Sequence, residues 1–214
     1  NFDLGLAATK IYDFSWSSFC DWYIEMAKQG LNSDDSEAKK ATQEVLYYVL
    51  SGILTLLHPY MPFITEEVYG YLPGHDGMLI TGKWPTIREE YNFAAEAAQM
   101  EGVMDVIRAI RNLRAEMNVQ PAKRTRVMFV ANEGWGDVLT QSDMYFRRLA
   151  GASETVVISA DQLGSEKTVS AVTEAATVYI PLGDLVDFDK ELARLAKEQE
   201  NLTKEIARAE GKLN

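Results

Sequence analysis

The residues of this chain best suited to chemistry are cationic and aromatic. Between Arg108 and Arg126 stand six basic side chains (Arg108, Arg111, Arg114, Lys123, Arg124 and Arg126) and one acid, Glu116. Guanidinium and ammonium groups in such a cluster meet phosphates. The competing reading is a solvated helix face paired with nearby acids, with Lys123 and Arg124 complementing the dipole of a helix that has just ended. A second cluster is aromatic: Phe14, Trp16, Phe19, Trp22 and Tyr23. Residues one apart on a helix diverge by about 100°, so Phe19, Trp22, Tyr23 and Ile24 cannot all point inward. Phe19 and Trp22 are assigned to the core. Tyr23, Ile24 and Lys28 are left to contact RNA, where exposed aromatic rings stack on unpaired bases, or to pack on a neighbouring domain.

Catalytic patterns are missing from the sequence. The carboxylate pairs Asp34/Asp35, Glu66/Glu67 and Glu89/Glu90 are sequence neighbours, which on a helix do not face one site. There is no GxGxxG, P-loop, HExxH or GxSxG. His58 precedes a proline at a helix end, where an imidazole serves the last carbonyls. Cys20 sits among aromatic residues and reads as a buried structural thiol. Two histidines and one cysteine give no zinc spacing, so no metal site is expected.

Composition narrows the class. Hydrophobic residues make up 47% of the 214, which suits a folded chain rather than a disordered one. No apolar run reaches the roughly 20 residues that span a bilayer, and the first residues lack the pattern of a secretory signal. One cysteine allows no internal disulfide and fits a reducing cytoplasm. The net charge of −11 argues against a general nucleic-acid binder. A basic patch on an acidic body can still hold a structured RNA at one defined place.

These residues need elements to position them. Apolar residues recur at helical spacing over 4–28, from Leu4 to Met26. Asp34, Asp35 or Ser36 caps a second helix near 37–57, whose VLYYVLSGILTLL half is apolar nearly all round, as in a central bundle helix. Pro59 ends it, and Pro62 starts the next helix. Residues 74–92 read as a loop. A long helix follows over 93–118. Val103, Val106, Ile107, Ile110, Leu113 and Met117 form its buried stripe, Arg108, Arg111 and Asn112 face away, and Arg114 lies at the border. Pro121 closes it. The period then changes. RVMFVA, TVVIS, TVSAV and TVYIPL read as strands, with a helix over 137–149 between the first two and a terminal hairpin. From Leu192 to Leu213 an a/d heptad seam marks one coiled-coil helix.

Three of these segments, in this order, carry a resemblance: FCDWYIE (Phe19 to Glu25) after Trp16-Ser17, HPYMPFITEEVY (His58 to Tyr69) and LRAEMNVQPAK (Leu113 to Lys123). Together they resemble the class I aminoacyl-tRNA synthetases for valine, isoleucine, leucine and methionine, and within that group the valyl-tRNA synthetases. The closing heptads are similar to the start of that family's coiled-coil arm. The resemblance covers nearly the whole chain. It implies a mainly α fold in three parts. These are an N-terminally incomplete anticodon-binding helical bundle (1–122), a small α/β subdomain (123–187) and a truncated coiled-coil tRNA-binding arm (188–214). It implies binding of tRNA-Val by an anticodon-arm module that holds no catalytic residue or cofactor of its own. The family's ATP motifs and editing domain lie upstream. ATP with Mg, activation of valine and its transfer to tRNA therefore belong to the full-length ligase, through a catalytic domain of the same chain. The candidate RNA contacts are Tyr23, Ile24, Lys28, Arg108, Arg111, Asn112, Arg114, Asn118, Lys123 and Arg124. The expected protein is a cytoplasmic monomer without affinity for DNA or membrane. The alternative is a helical protein-interaction module that uses the terminal coiled coil.

Overall fold

A computed structural model describes residues 3–185, 198–199, 201–204 and 206. The chain forms two compact units, residues 1–92 and 93–214.

The first unit is helical. Asp3 accepts a hydrogen bond from the Leu6 N–H and starts α1 (Leu4–Asp13). The chain then runs through a π-helical stretch (Phe14–Tyr23) into α2 (Ile24–Leu31). The single expected helix is thus continuous in direction but changes pitch in its middle. The Ile24 N–H bonds to the Phe19 carbonyl, five residues back. Each wider turn rotates the following residues off the phase of a 3.6 repeat. The stripe expected from Leu4 to Met26 is therefore not one buried face. Phe19, Trp22, Met26 and Ala27 are buried, whereas Leu4, Tyr12 and Trp16 are exposed.

Asp35 caps α3 (Ser36–Leu57) by accepting from the Glu37 and Ala38 N–H groups. The helix contacts α1, α2 and α4 (Pro62–Gly70), with Pro62 at the first position of α4. It is not enclosed as its apolar sequence suggests. Ile53 and Leu54 are buried, but Val45 and Tyr48 are exposed. The expected loop over 74–92 contains two 3-10 turns, Leu79–Thr81 and Glu89–Tyr91. Both carboxylate oxygens of Glu66 hold the first, accepting from the Leu79 and Ile80 N–H groups at 2.8 and 3.2 Å.

The second unit begins with α5 (Ala94–Glu116). Its strands are β1 (Thr125–Ala131), β2 (Ala152–Val157), β3 (Thr168–Val172) and β4 (Ala176–Pro181). They form one sheet in the order β2-β1-β4-β3. β1 and β2 are parallel, β1 and β4 antiparallel, and β3 and β4 make the expected hairpin. β2 starts at Ala152, earlier than its β-branched residues suggest. The parallel crossover is made by α6 (Gly136–Gln141) and α7 (Asp143–Leu149). The expected helix over 137–149 is broken at Ser142, a buried residue whose N–H closes the last turn of α6. Phe146 of α7 packs on Phe129 of β1 with ring centres 4.9 Å apart. A short helix, α8 (Leu182–Leu185), follows β4.

The expected boundary near 122 falls inside this unit, because the buried face of α5 (Val103, Val106, Ile107 and Ile110) belongs with β3 and β4. An apolar helical stripe does not say whether another helix or a sheet covers it. The heptad seam of 188–214 lies largely outside the described residues. Within it, residues 201–204 are helical, and Leu202 and Ile206 are exposed.

Gly102 sets how closely α5 approaches the loop before α6. A Cβ there would stand 2.2 Å from the Trp135 ring, well inside contact distance. Gly102→Val should destabilise the second unit by about 1–3 kcal/mol through overpacking, measured by urea unfolding followed on amide signals of the sheet. An unchanged midpoint would mean that the indole moves aside at no cost.

Candidate nucleic-acid interface

The end of α5 is built as a Schellman turn. Asn118 adopts φ 52°, its N–H bonds to the Ala115 carbonyl, and the Val119 N–H bonds to the Arg114 carbonyl at 2.9 Å. Asn is one of the few residues that take this left-handed conformation at modest cost. The helix thus ends at Glu116, five residues before Pro121. The turn that follows folds back over the side chain of Arg114.

Arg114 is 8% exposed. It donates to the Lys123 carbonyl at 2.7 Å and to the Thr125 hydroxyl at 3.2 Å, with a longer contact to the Gln120 carbonyl. Gly151, at φ 70°, lies beside it. A Cβ at that position would be 3.2 Å from the guanidinium carbon. Burial, then the nearby charge of Arg124, lowers the Arg114 pKa from its ordinary value.

Two further arginines are fixed by carbonyls at the end of α7. Arg111 donates from Nε to the Leu149 carbonyl at 2.7 Å. Arg124 donates from one terminal nitrogen to the Arg147 and Ala152 carbonyls at 2.8 and 3.2 Å. Arg147 donates to Asp143 at 2.6 Å and to the Ser153 carbonyl at 2.5 Å. The carboxylate of Asp143 also accepts from the Thr155 hydroxyl. Desolvation raises the Asp143 pKa, but these bonds and the Arg147 charge outweigh it, holding the group below the usual 3.8.

These groups surround a cavity of 310 Å³ lined by Arg111, Arg114, Arg124, Arg147 and Arg148, with no carboxylate in its wall among the described residues. Of the residues singled out in the sequence, the structure brings three to this cleft: Arg111, Arg114 and Arg124. Arg108 stands one turn earlier on α5 and pairs with Asp105 at 2.5 Å. Asn112 is exposed on the same helix, and Asn118 serves the cap. Lys123 offers its carbonyl to Arg114. Arg126 pairs with Glu166 at 2.7 Å. Tyr23, Ile24 and Lys28 belong to the first unit. There Tyr23 stacks on Phe19 at 6.0 Å between ring centres, and Lys28 pairs with Glu25. All three are partly exposed.

Sequence reasoning missed Arg147 and Arg148. They stand more than 20 residues from Arg124, at the end of a helix expected only as a connector. The signal available was the Arg-Arg pair itself.

A larger cavity of 500 Å³ lies in the first unit, lined by His58, Phe63, Glu66 and Tyr71 among others. His58 Nδ1 meets the Thr65 hydroxyl at 2.8 Å instead of a helix-end carbonyl, and its Nε2 is buried without a partner among the described residues. Glu66 is held by the backbone of Leu79 and Ile80, and Glu67 accepts from the Tyr71 hydroxyl. Among the described residues, no group of three ligand side chains is placed to hold a metal ion.

An arginine-lined cleft of this kind is suited to the phosphates of a nucleic acid, and the chain's relatives agree with that class. The anticodon-binding domain of tRNA ligase matches residues 1–129, and the chain belongs to that family. Among its relatives, the valine–tRNA ligase of Clostridium tetani is 45% identical over 91% of this chain and 22% of its own length. That of Clostridium acetobutylicum is 41% identical, covering 100% of this chain and 24% of its own length. The Enterococcus faecalis valine–tRNA ligase is 40% identical with the same coverage. The chain therefore spans 22–24% of the length of these curated relatives.

Two outcomes follow from this geometry. Arg114→Leu should cost roughly 2–4 kcal/mol in unfolding experiments, since it removes charged hydrogen bonds and leaves buried carbonyls unsatisfied. The depressed pKa of Asp143 gives stability that is present above 3.8 and lost as pH falls through the lower folded value. Asp143→Asn should therefore lower stability at neutral pH and shrink the further loss between pH 5 and pH 2.5. Parallel pH–stability curves for the two proteins would contradict this.

Proposed function

We propose that this chain is the anticodon-arm-binding portion of a valine–tRNA ligase. The match of residues 1–129 to the anticodon-binding family carries the reading. The valine–tRNA ligase relatives support the choice of amino acid and of tRNA-Val as partner. In the full-length enzyme, valine is activated with ATP and Mg and transferred to that tRNA. No step of this chemistry is assigned to the described residues. The role of this part is to bind and orient RNA so that a catalytic portion of the same longer chain can act on its far end.

Three features support that role. The basic cleft stands on a chain of net charge −11, so attraction is confined to one place. Tyr23, Ile24 and Lys28 form a second partly exposed group of RNA-contact chemistry in the first unit. The exposed apolar residues Leu4, Tyr12, Trp16 and Phe63 suit burial against another part of the longer chain. The protein acts as a monomer in the cytoplasm. No described helix is long and apolar enough to cross a membrane.

The test is binding of this chain to a valine-tRNA anticodon stem-loop and to a loop-scrambled control at two salt concentrations. A preference for the cognate loop, with affinity falling as salt rises, is expected. Arg111→Ala should weaken binding of both RNAs by about 1–2 kcal/mol. Equal affinity of the folded protein for both loops would sink the anticodon assignment.

A further inference from the structure

The bonds described above account for only part of the arginine cleft. Carbonyls at the end of α7 hold Arg111 and Arg124, as cations are held at helix C-termini, and carbonyls of the turn after α5 hold Arg114. They do not explain Arg148. Its side chain is exposed, and among the described residues it makes no hydrogen bond or ion pair. It lines the same cavity as four other arginines. Five arginines line these 310 Å³, with Arg147 paired to Asp143; burial first, and then the charge of Arg124, lowers the Arg114 pKa. Arg124 and Arg148 make no ion pair among the described residues, and two such cations in one cleft are stabilised by an anion from outside.

We infer that the cleft between the end of α5, the 119–124 turn and the end of α7 is a phosphate-binding site for the backbone of an RNA strand, with Arg148 as its reaching group. The inference rests on the RNA-binding reading above and adds to it a site and a residue from the α/β part. The cations lining the cleft are all arginine. The planar guanidinium fork takes a phosphate through two parallel N–H donors, which a lysine ammonium cannot do. Arg114 forms a fixed positive floor. Arg124 is oriented by carbonyls through one terminal nitrogen, which leaves its Nε and second terminal nitrogen for an anion. Arg147, held by Asp143 and the Ser153 carbonyl, fixes the wall from which Arg148 projects. The contact is to the backbone, so it strengthens binding and sets register without reading bases.

The test uses the 214-residue chain and its Arg148→Ala, Arg148→Glu and Arg148→Lys variants, each checked for an unchanged circular-dichroism spectrum. Binding of a full valine tRNA and of its loop-scrambled form is measured across a salt series. Arg148→Ala should weaken both RNAs equally, by roughly three- to tenfold, and reduce the slope of log K against log salt by about 1. Arg148→Glu should weaken them further, while Arg148→Lys should keep the slope and lose part of the affinity. In parallel, the arginine Nε–Hε signals are followed by NMR during a titration with inorganic pyrophosphate. Saturable shifts for Arg124 and Arg148 are expected, and Arg148→Glu should abolish them. If the wild type prefers the cognate tRNA but Arg148→Glu changes neither affinity nor slope, the cleft is not the contact and the inference falls alone. If pyrophosphate shifts saturate but the cognate preference is absent, the anticodon reading falls and the phosphate site stands. Absence of saturable shifts overturns the site. Displacement of pyrophosphate by polyglutamate at concentrations where RNA does not compete would assign the cleft to an acidic protein segment, against this inference.

Discussion

The second unit depends on one buried cation. Arg114 lies at the end of α5 and is almost enclosed, and its guanidinium ties the helix end to the turn after it and to the start of the sheet. Through the Lys123 carbonyl it holds the turn after the helix, and through the Thr125 hydroxyl it holds the first residue of β1. Gly151, just before β2, is the residue against which it rests. A buried guanidinium without partners is expensive, so the backbone carbonyls must stay in place once the side chain is inside. The Schellman turn at Asn118 brings them there. Helix end, sheet start and crossover end are therefore one interlocked corner.

That corner also makes the cleft. The carbonyls at the end of α7 are a negative helix pole that draws Arg111 and Arg124, and the carbonyls of the turn after α5 hold Arg114 beside them. Because the two ends converge, their cations converge too. The attraction of each arginine for its own carbonyl offsets the repulsion among them, and the surplus positive charge faces the cavity. Arg111, Arg114, Arg124 and Arg147 are each held by hydrogen bonds, so these side chains lose little further entropy in any contact, whereas Arg148 is exposed. The acidic remainder of the chain keeps the attraction local.

The first unit follows a different constraint. Its entry helix winds wider between Phe14 and Tyr23, and the aromatic cluster lies inside that stretch. The change of pitch turns Phe19 and Trp22 inward and leaves Trp16 and Tyr12 outside. Tyr12 and Trp16 sit edge to face on the surface, with ring centres 6.5 Å apart. Wide turns of this kind recur where a helix serves a function as well as a core, and this one carries Tyr23 into its last position.

Much of the fold was legible from local chemistry. Asp35 before α3, Pro62 at the start of α4 and the β-branched runs of β1, β3 and β4 each act within a few residues, so their meaning is local. The family resemblance, carried by Phe19–Glu25, His58–Tyr69 and Leu113–Lys123, was legible for the same reason. The π-helical stretch was not, because a 3.6 repeat and a wider one differ little over ten residues rich in aromatics. The partner of α5 was also hidden, since an apolar stripe is silent about whether a helix or a sheet covers it. The sequence by itself determined which residue types were available: a cationic run from Arg108 to Arg126 and an Arg-Arg pair at 147–148. Only the tertiary structure decided which of them meet. The parallel crossover returns the end of α7 to the end of α5, placing Arg147 and Arg148 beside Arg111, Arg114 and Arg124. Contacts between residues so far apart depend on how the chain closes on itself, which no local pattern records.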